Sequence, residues 1–403
     1  EILIGLVGSE MCIRDRIERR KIVRVLITGG TGTISSGLVN ESVNRGYDTY
    51  AITRGSNNLR NIDGANYLHA DIWNEKDVYS VLENIKFDVV VECLAYDIKQ
   101  LEISLRNFSS RCSQYVFVST AGVYNRIGNQ RIKESDLKNF TEWSYTKNKI
   151  ECEKFLKEYS MKTGLKYTII RPTVTYGNYR IPFPIATRTP GWTFFDRMKK
   201  GQIMLASDNV KFSVIHIDDF SKMVVSLFGN EKAFNEDFHI TSNENDIHWD
   251  DVIEISGKIL GVKPQFIHVS ANVIQKIWPE IYDELAYNKN LSTILDDSKI
   301  KKISDITAEI DISRGIENTI DAMEIEYNKN GLELDDWWND HCNAVIYYAY
   351  ANDYLEKIEK DIVSSYIAEY GIDQFKNSFI RVKRYNKIQL VKGKLKIILK
   401  RIK

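Results

Sequence analysis

From residue 21 onward, two patterns of apolar positions alternate along the chain. Short runs of consecutive apolar residues are followed by segments in which apolar residues recur every three or four positions, as they do in amphipathic helices. The runs of the first kind predict strands at 23–27, 49–53, 66–69, 88–93, 114–119 and 167–171. Strands that alternate with helices are typical of βαβ units, so the pattern predicts a doubly wound parallel sheet with helices on both faces.

The first predicted strand is followed by a glycine-rich turn, TGGTGTIS at 28–35. After the turn, apolar residues recur at helical spacing, beginning with Ile34 and Leu38. Glycines let the backbone approach a pyrophosphate, and a helix N-terminus supplies amide donors and a favourable dipole. The strand–turn–helix pattern therefore predicts a dinucleotide site at this turn.

Tyr145 and Lys149 begin a second candidate site, because residues four apart lie on the same face of a helix. A free tyrosine titrates at a pH of about 10, and a nearby positive charge favours its phenolate form. The pair therefore predicts a base for a hydroxyl proton. Ser119 and Thr120, which end the predicted strand 114–119, add hydroxyl groups upstream.

Five motifs in this order resemble the extended short-chain dehydrogenase/reductase family, and within it the NAD(P)-dependent sugar-nucleotide epimerases and dehydratases. They are TGGTGTIS at 28–35, STAGVY at 119–124, YTKNK at 145–149, RPTVTYG at 171–177 and VIHIDDF at 214–220. The resemblance covers residues 21 to 327. One departure is Ser35, which stands where the family's turn usually has glycine. Since serine is small enough for close helix packing, we expect cofactor binding to be retained.

The resemblance implies that the protein binds NAD or NADP. The residues at the end of the second strand indicate which of the two cofactors is preferred. An NAD site usually has an acidic residue there to bond the ribose hydroxyls, whereas this chain has Arg54 and no carboxylate. Arg54 would meet a 2′-phosphate, so NADP(H) is predicted over NAD(H); an ordinary solvated arginine is the alternative reading. The full set of predicted cofactor-binding residues is Gly29, Gly32, Thr33, Ile34, Arg54, Asp71, Ile72, Leu94, Ala95, Tyr145 and Lys149.

By the same resemblance, Thr120, Tyr145 and Lys149 are the predicted catalytic set. Thr120 would hydrogen-bond the substrate hydroxyl, Tyr145 would take its proton, and Lys149 would keep the tyrosine acidic and hold the nicotinamide ribose. A nucleotide-sugar is the expected substrate. Its candidate ligands are Ser119, Arg180 and Arg188, with Arg197 as a further candidate for the diphosphate. For each arginine taken alone, an ordinary solvated loop residue is the favoured reading. His216 is expected to be structural.

Ala121 and Gly122, which follow Thr120, supply neither acid nor base. Family members that eliminate water usually have acidic residues there, so a dehydratase is disfavoured. The predicted reaction is epimerisation through a transient keto-sugar, with a nucleotide-sugar reductase as the close alternative. A non-catalytic member of the fold that binds a cofactor or RNA is the alternative from another class.

Composition and charge exclude several classes of function and binding site. The 55 basic and 55 acidic residues balance, which argues against general nucleic-acid binding, because that binding depends on clustered cations. Five scattered cysteines without a CxxC pair and six dispersed histidines predict no disulfide framework, no metal site and a cytoplasmic location. No apolar run approaches the length of about 20 residues that a membrane span needs.

Four regions are predicted along the chain. Residues 1–16 resemble translated adapter sequence more than a signal peptide and are read as a non-native extension. Residues 21–176 are assigned to an NAD(P)-binding Rossmann domain, with returning segments near 212–246. Residues 177–330 form the expected smaller, mixed α/β substrate lobe. Residues 331–403 form an expected helical extension that packs on the body or on a second subunit, and a homodimer is expected by analogy with the family.

The end of the extension is strongly basic. From Arg381 to Lys403 there are ten Lys and Arg residues and no acid, and apolar residues recur at helical spacing from Ile388 to Ile402. This pattern predicts a basic amphipathic helix. Peripheral contact with an anionic membrane surface is one reading; a solvated tail or a subunit contact is the other.

Overall fold

The structure, a computed structural model, describes residues 22–55, 61–126, 128, 130–178, 180–185, 191–242, 244, 247–331 and 334–402. Within these ranges, side chains are described except at 330 and 390–402.

The strands of the described part of the chain are mostly short. Their bounds are β1 Arg24–Thr28, β2 Asp48–Thr53, β3 Asn66–His69, β4 Phe87–Glu92, β5 Cys112–Val118, β6 Arg131–Ile132, β7 Lys166–Pro172, β8 Val174–Tyr176, β9 Met204–Ala206, β10 Lys211–Phe212, β11 Val214–His216, β12 Glu236–Ile240, β13 Ile247–His248, β14 Phe266–His268 and β15 Ile294–Leu295.

The α-helices connect the strands in the first half of the chain and dominate its end. Their bounds are α1 Thr33–Asn44, α2 Glu75–Leu82, α3 Ile98–Phe108, α4 Ser144–Thr163, α5 Trp192–Lys199, α6 Ile217–Val225, α7 Trp249–Leu260, α8 Ala271–Ile274, α9 Tyr282–Glu284, α10 Ile312–Asn330, α11 Asp336–Ala351, α12 Lys357–Tyr370 and α13 Asp373–Ile402. A π-helix, Leu285–Lys289, continues α9.

A seven-stranded parallel sheet organises the first half of the molecule, in the order β12-β7-β5-β4-β1-β2-β3. The strand order reverses between β1 and β4, where ligands of doubly wound folds bind beyond the carboxyl ends of the strands. The predicted Rossmann-type sheet is confirmed, and all six predicted strands belong to it. The seventh, β12, pairs in parallel with β7 and was not predicted as a strand.

Strand β1 shows why the predicted runs become central strands. Val25, Leu26 and Ile27 are fully buried because both faces of the sheet are covered. Val25 and Ile27 join the core that contains α1 and α6, whereas Leu26 joins the opposite core with α2, α3 and α4. A continuous apolar run is the sequence pattern of such a doubly covered strand.

A second large hydrophobic core lies outside the main sheet. It combines Phe194 and Trp249 with residues of the C-terminal helices, including Trp338, Val345 and Val363. The helical extension therefore packs on the body of this chain, which was one of the two predicted possibilities. The proposed domain boundaries at 176/177 and 330/331 stay predictions.

The basic end of the chain lies on α13, which runs to Ile402, so its predicted helical conformation is confirmed. The apolar stripe from Val391 onward falls on side chains outside the described set, and membrane contact stays a prediction. In the part of the chain that the structure covers, no helix is both long and apolar enough to cross a bilayer.

Candidate active site

The glycine turn after β1 has a backbone that only glycine adopts readily. Gly29 and Gly30 have positive φ angles of 91° and 45°, in the region that is costly for residues with a Cβ atom. A Cβ atom on Gly30 would also lie 2.8 Å from the Cβ of Ala51. The turn therefore packs directly against β2 and leaves its outer side open for a ligand.

Ser35, which stands where the family usually has glycine, lies in the first turn of α1 and helps to cap that helix. Its Oγ accepts a hydrogen bond from the Gly32 backbone N–H at 3.1 Å, next to the start of α1. The close helix packing occurs two residues later, because a Cβ atom on Gly37 would lie 2.5 Å from Ile217 Cγ1. The serine is thus accommodated without altering the helix start.

A cavity of about 390 Å³ opens beside this turn. Its wall contains six of the predicted cofactor-binding residues, namely Gly29, Gly32, Arg54, Asp71, Ile72 and Leu94. The wall also contains nine residues outside the predicted set, namely Thr31, Ser35, Ile52, Thr53, Gly55, Ala70, Trp73, Tyr96 and Gln100. The position at the strand-order reversal, the glycine turn and the helix N-terminus fit a dinucleotide.

The other predicted cofactor residues lie around this cavity rather than in its wall. Thr33 lines a second, larger cavity, and Ile34 packs against the core beneath α1. Ala95 is buried, and its backbone is used by Glu92 and Lys149.

Glu92, at the end of β4, fixes the loop beneath the cofactor cavity. It is fully buried, and its Oε1 accepts hydrogen bonds from the backbone N–H groups of Leu94 at 2.6 Å and Ala95 at 3.0 Å. The hydroxyls of Thr28 and Ser104 also donate to this carboxylate. Glu92 was not singled out from the sequence, although an acidic residue at the end of an apolar strand was a signal that could have identified it.

Thr120 and Tyr145 are brought together at the reacting centre. The Thr120 side chain lies near enough to the Tyr145 phenol to lower its pKa, and Thr120 Oγ1 accepts from the Gly122 N–H at 3.1 Å. Burial and the neighbouring Tyr96 raise the pKa of Tyr145, whereas Thr120 and the charge of Arg180 act in the opposite direction. Ionisation of Tyr145 thus depends on the groups around it.

Lys149, on the same helix as Tyr145, is held by the backbone. Its side chain is buried, with 2% exposed, and its Nζ donates to the carbonyls of Ala95 and Val118, both at 2.8 Å. Burial lowers the pKa of Lys149 to about 8, and the two carbonyl acceptors suit its ammonium form. Its predicted effect on Tyr145 stays a prediction.

The predicted substrate ligands have different environments. Arg180 lines the larger cavity, of about 700 Å³, whereas Arg188 lies outside the described residues. Ser119 is buried, and its hydroxyl donates to Glu153 Oε1 at 2.5 Å. It therefore belongs to the network of Glu153 and Arg171 and not to either of these cavities.

Arg197 requires a correction. Its side chain is fully buried, and its guanidinium donates to the Ile203 carbonyl at 2.9 and 2.7 Å, to Asn339 at 3.1 Å and to Asn343 at 2.8 Å. These contacts join α5 to α11, so Arg197 positions the extension and is not a ligand of the substrate diphosphate.

Lys289, the last residue of the π-helix, had no motif to identify it. It lines the larger cavity and a small adjoining pocket whose wall includes Thr120 and Gly122. Burial lowers its pKa to about 8. A second buried lysine therefore lies beside the reacting centre, on a helix type that often occurs at functional sites.

His216 and Asp219 have structural contacts, as expected. His216 caps α6 by accepting from the Asp218 N–H at 3.4 Å. Asp219 Oδ2 accepts from the N–H groups of Glu309 and Ile310 at 2.8 and 2.7 Å and so ties α6 to a distant loop.

Comparison with known proteins identifies the cofactor-binding part. Residues 29–178 match a family model described as NAD(P)H-binding. This part of the chain is therefore similar to NAD(P)H-binding domains. In the described ranges, no cluster of side chains suited to a metal ion occurs.

Solved structures with the same fold include epimerases and a dehydratase. The epimerase Mth375 of Methanothermobacter thermautotrophicus is 13% identical with a TM-score of 0.66, over 76% of this chain and 94% of that one. The UDP-glucose 4-epimerase of Thermotoga maritima, solved with UDP-glucose, is 18% identical with a TM-score of 0.62, over 75% and 99%. At these identities the likeness establishes the fold.

Curated relatives differ in their described functions. The chloroplast stem-loop binding protein of 41 kDa b of Arabidopsis thaliana is 28% identical over 61% of this chain and 65% of its own length. A putative UDP-glucose 4-epimerase of Methanocaldococcus jannaschii is 27% identical over 55% of this chain and 82% of its own length. Because the match spans less than two thirds of the first relative, the activity of the whole protein is a matter for proposal.

Proposed function

We propose that the protein is an NAD(P)-dependent nucleotide-sugar epimerase that works through a transient keto-sugar. The observation that supports this most is the proximity of Thr120 to the phenol of Tyr145. The ring of Tyr96, in the wall of the cofactor cavity, lies 5.9 Å from the ring of Tyr145. Arg180, whose charge lowers the pKa of Tyr145, lines the larger cavity.

In this proposal the bound nicotinamide supplies hydride acceptance and return. Tyr145 takes the proton of the sugar hydroxyl and later gives it back, while Thr120 hydrogen-bonds the oxygen on which charge develops. Lys149 holds the nicotinamide ribose, and its charge favours the Tyr145 phenolate. After the keto-sugar turns over, reduction on its other face completes the epimerisation, and the cofactor ends unchanged.

Ala121 and Gly122 favour epimerisation over elimination of water. Neither side chain has an acid or a base, and a Cβ atom on Gly122 would lie 2.8 Å from Thr146 Cγ2, so a larger residue does not fit there. The acid of the family's dehydratases thus has no counterpart after Thr120. A nucleotide-sugar reductase, which uses the same proton donor, is the second candidate.

A non-catalytic, RNA-binding function is the candidate from another class. It is favoured by one observation, the relative described as a stem-loop binding protein. The balanced overall charge and the proximity of Thr120 to Tyr145 argue against it.

The experiment that tests the proposed function adds UDP-, GDP-, CDP- and dTDP-sugars to the full-length protein with NADP⁺ or NAD⁺, with chromatography of the sugars and absorbance near 340 nm. A new sugar isomer without net cofactor change is the expected result. Net cofactor oxidation or reduction tied to one sugar would establish the reductase instead. Cofactor binding without turnover of any sugar would favour the binding protein.

We also propose that NADP(H) is the preferred cofactor, because Arg54 lines the cofactor cavity at the end of β2. Replacing Arg54 by Ala should weaken NADPH binding roughly tenfold or more, the loss typical of a charged hydrogen bond, and leave NADH binding nearly unchanged. Dissociation constants from calorimetry measure both. Tighter binding of NADH than of NADPH by the wild-type protein would contradict the preference.

A further inference from the structure

The C-terminal extension forms part of the wall of the larger cavity. Besides Thr33 and Arg180, the wall includes Trp337 of α11 and Tyr385 of α13. Both residues lie beyond residue 327, where the resemblance to the epimerase family ends. The segment that this chain adds to the family fold therefore helps to shape the cavity next to the reacting centre.

We propose that this extension provides the subsite for the base of the nucleotide substrate, with Trp337 and Tyr385 as the stacking surface. The inference rests on the proposed function and adds to it, because it assigns one end of the substrate to residues outside the family core.

The aromatic side of the cavity consists of rings in mutual contact. The Trp337 ring lies 4.2 Å from the ring of Tyr385 and 4.0 Å from that of His341, and the His341 ring lies 4.5 Å from that of Trp278. Trp337 nevertheless keeps 39% of its surface exposed. A tryptophan that is supported from behind and open in front is suited to stack on a planar base.

The cationic side of the same cavity is formed by Arg180 and Lys289. Lys289 also lines the small pocket whose wall includes Thr120, which puts this side beside the reacting centre. A nucleotide-sugar has its diphosphate between the sugar and the base. The cations suit the diphosphate, and the aromatic rings in the wall of the same cavity suit the base.

Three carboxylates share the wall, those of Glu280, Glu284 and Asp335. Glu284 acts on the pKa of Lys289 and so offsets part of the cationic charge. Asp335 caps α11, where it accepts from the Trp338 N–H at 2.9 Å. Carboxylate oxygens accept hydrogen bonds from the N–H groups of a nucleotide base. Carboxylates on the aromatic side of the cavity are therefore compatible with a bound base. The cavity volume of about 700 Å³ is in the usual range for ligand sites.

The extension is fixed firmly enough to serve as a binding wall. Trp338 Nε1 donates to the Ile185 carbonyl at 3.1 Å, and the Asp335 N–H donates to Thr193 Oγ1 at 2.8 Å. Asn386 Nδ2, one residue after Tyr385, donates to the Ile277 carbonyl at 2.9 Å. These bonds hold both stacking residues against the body, and a preorganised surface loses little entropy when a ligand binds.

The test compares binding of UDP, GDP, CDP and dTDP by the full-length protein, measured by calorimetry, with binding of inorganic pyrophosphate, which lacks a base. Trp337→Ala and Tyr385→Ala are the test variants, and Trp337→Phe is the conservative one. Tyr370→Ala is the matched control, because Tyr370 is an exposed tyrosine of the extension that does not line this cavity. Circular dichroism verifies that each variant is folded.

The expected result is that Trp337→Ala weakens the preferred nucleoside diphosphate roughly tenfold or more and leaves pyrophosphate and NADPH binding unchanged. Trp337→Phe should restore most of the loss, and Tyr370→Ala should behave as wild type. Wild-type nucleotide affinity in both Trp337→Ala and Tyr385→Ala would overturn the inference, as would no binding of any of the four nucleotides to the wild type.

The inference and the proposed function can fail separately. If the protein makes a new sugar isomer but both alanine variants keep wild-type nucleotide affinity, the epimerase proposal is supported and the base subsite is refuted. If no nucleotide-sugar is converted although nucleotide affinity depends on Trp337, the base subsite is supported and the epimerase proposal is refuted.

Discussion

The phenol of Tyr145 lies in an environment that opposes its ionisation. Burial raises its pKa, and Thr120 and the charge of Arg180 only partly counteract this. In the proposed reaction a proton is therefore exchanged at this oxygen only when neighbouring groups favour the phenolate, so the surrounding side chains would control that reaction.

Removing this hydroxyl tests its role directly. Tyr145→Phe should lower turnover by about 10²–10⁴-fold, the usual contribution of a positioned acid–base group, with an unchanged dissociation constant for the cofactor. The measurement is steady-state conversion of the active nucleotide-sugar, alongside calorimetry of cofactor binding. Tyr79→Phe, at an exposed tyrosine, is the control, and equal turnover in the two variants would refute the assignment.

Sequence reasoning could place residues whose structural setting follows from their neighbours along the chain. Gly29 and Gly32 lie in the predicted turn between a strand and a helix, and Tyr145 and Lys149 lie on one helix. The roles of these residues stay predictions. Lys289 was missed, since its position beside Thr120 results only from the folding of distant segments. Arg197 was misassigned because the sequence does not show that Asn339 and Asn343 surround its guanidinium.

Helices α1 and α6 show how one residue sets the spacing between elements. A Cβ atom on Gly37 would lie 2.5 Å from Ile217 Cγ1 and 2.6 Å from Ser221 Oγ, so Gly37→Ala would force the helices apart. The expected loss is about 1–3 kcal/mol in the free energy of unfolding, measured by urea denaturation. Asn40→Ala is the matched control, as Asn40 is exposed on the same helix and should have little effect. A loss no larger than that of the control would show that the contact relaxes freely.

Strand β14 connects the extension to the body through a titratable group. His268 Nε2 lies 2.9 Å from Asp250 Oδ1 of α7, and the His268 N–H donates to Glu359 of α12 at 2.8 Å. The hydrogen bond to Asp250 is the main reason that the pKa of His268 is raised. Protonated His268 therefore stabilises the docked position of α12.

The sign of the pH effect follows from this raised pKa. The stabilisation is fully present below the unfolded-state pKa of about 6.5 and is lost as the pH rises through the higher folded-state value. His268→Gln should therefore lower the melting temperature more at pH 6 than at pH 8.5, measured by calorimetry at constant ionic strength. An equal decrease at both pH values would contradict this role.

The whole molecule depends on its C-terminal helices for part of its core. Val363 of α12 is fully buried in the second hydrophobic core, whereas Ile358 on the same helix is 76% exposed. Val363→Asp would put a carboxylate into an apolar environment and should destabilise the protein by roughly 3 kcal/mol or more, as seen in urea denaturation. Ile358→Asp is the control and should be nearly neutral. Similar stabilities of the two variants would mean that α12 is not part of the folded core.

The overall architecture was predictable where local pattern and tertiary environment agree. Strands β1, β4 and β5 are buried on both faces, so their apolar runs were sufficient to place them. Strand β12, with the sequence EDFHI at 236–240, has polar residues among its apolar ones and owes its place in the sheet to pairing with β7. The packing of the extension was only partly predictable, because its apolar residues did not indicate which surface they would cover.

Two adjacent residues of the glycine turn line the cofactor cavity and the larger cavity, one residue each. Gly32 lines the cofactor cavity and Thr33, its neighbour, lines the larger one. If a cofactor and a nucleotide occupy the two cavities as proposed, a ligand that orders this peptide from one side would change the wall that contacts the other. By thermodynamic linkage, the factor by which the first ligand raises the affinity for the second equals the factor by which the second raises the affinity for the first. The turn after β1 would then couple the binding of the two ligands.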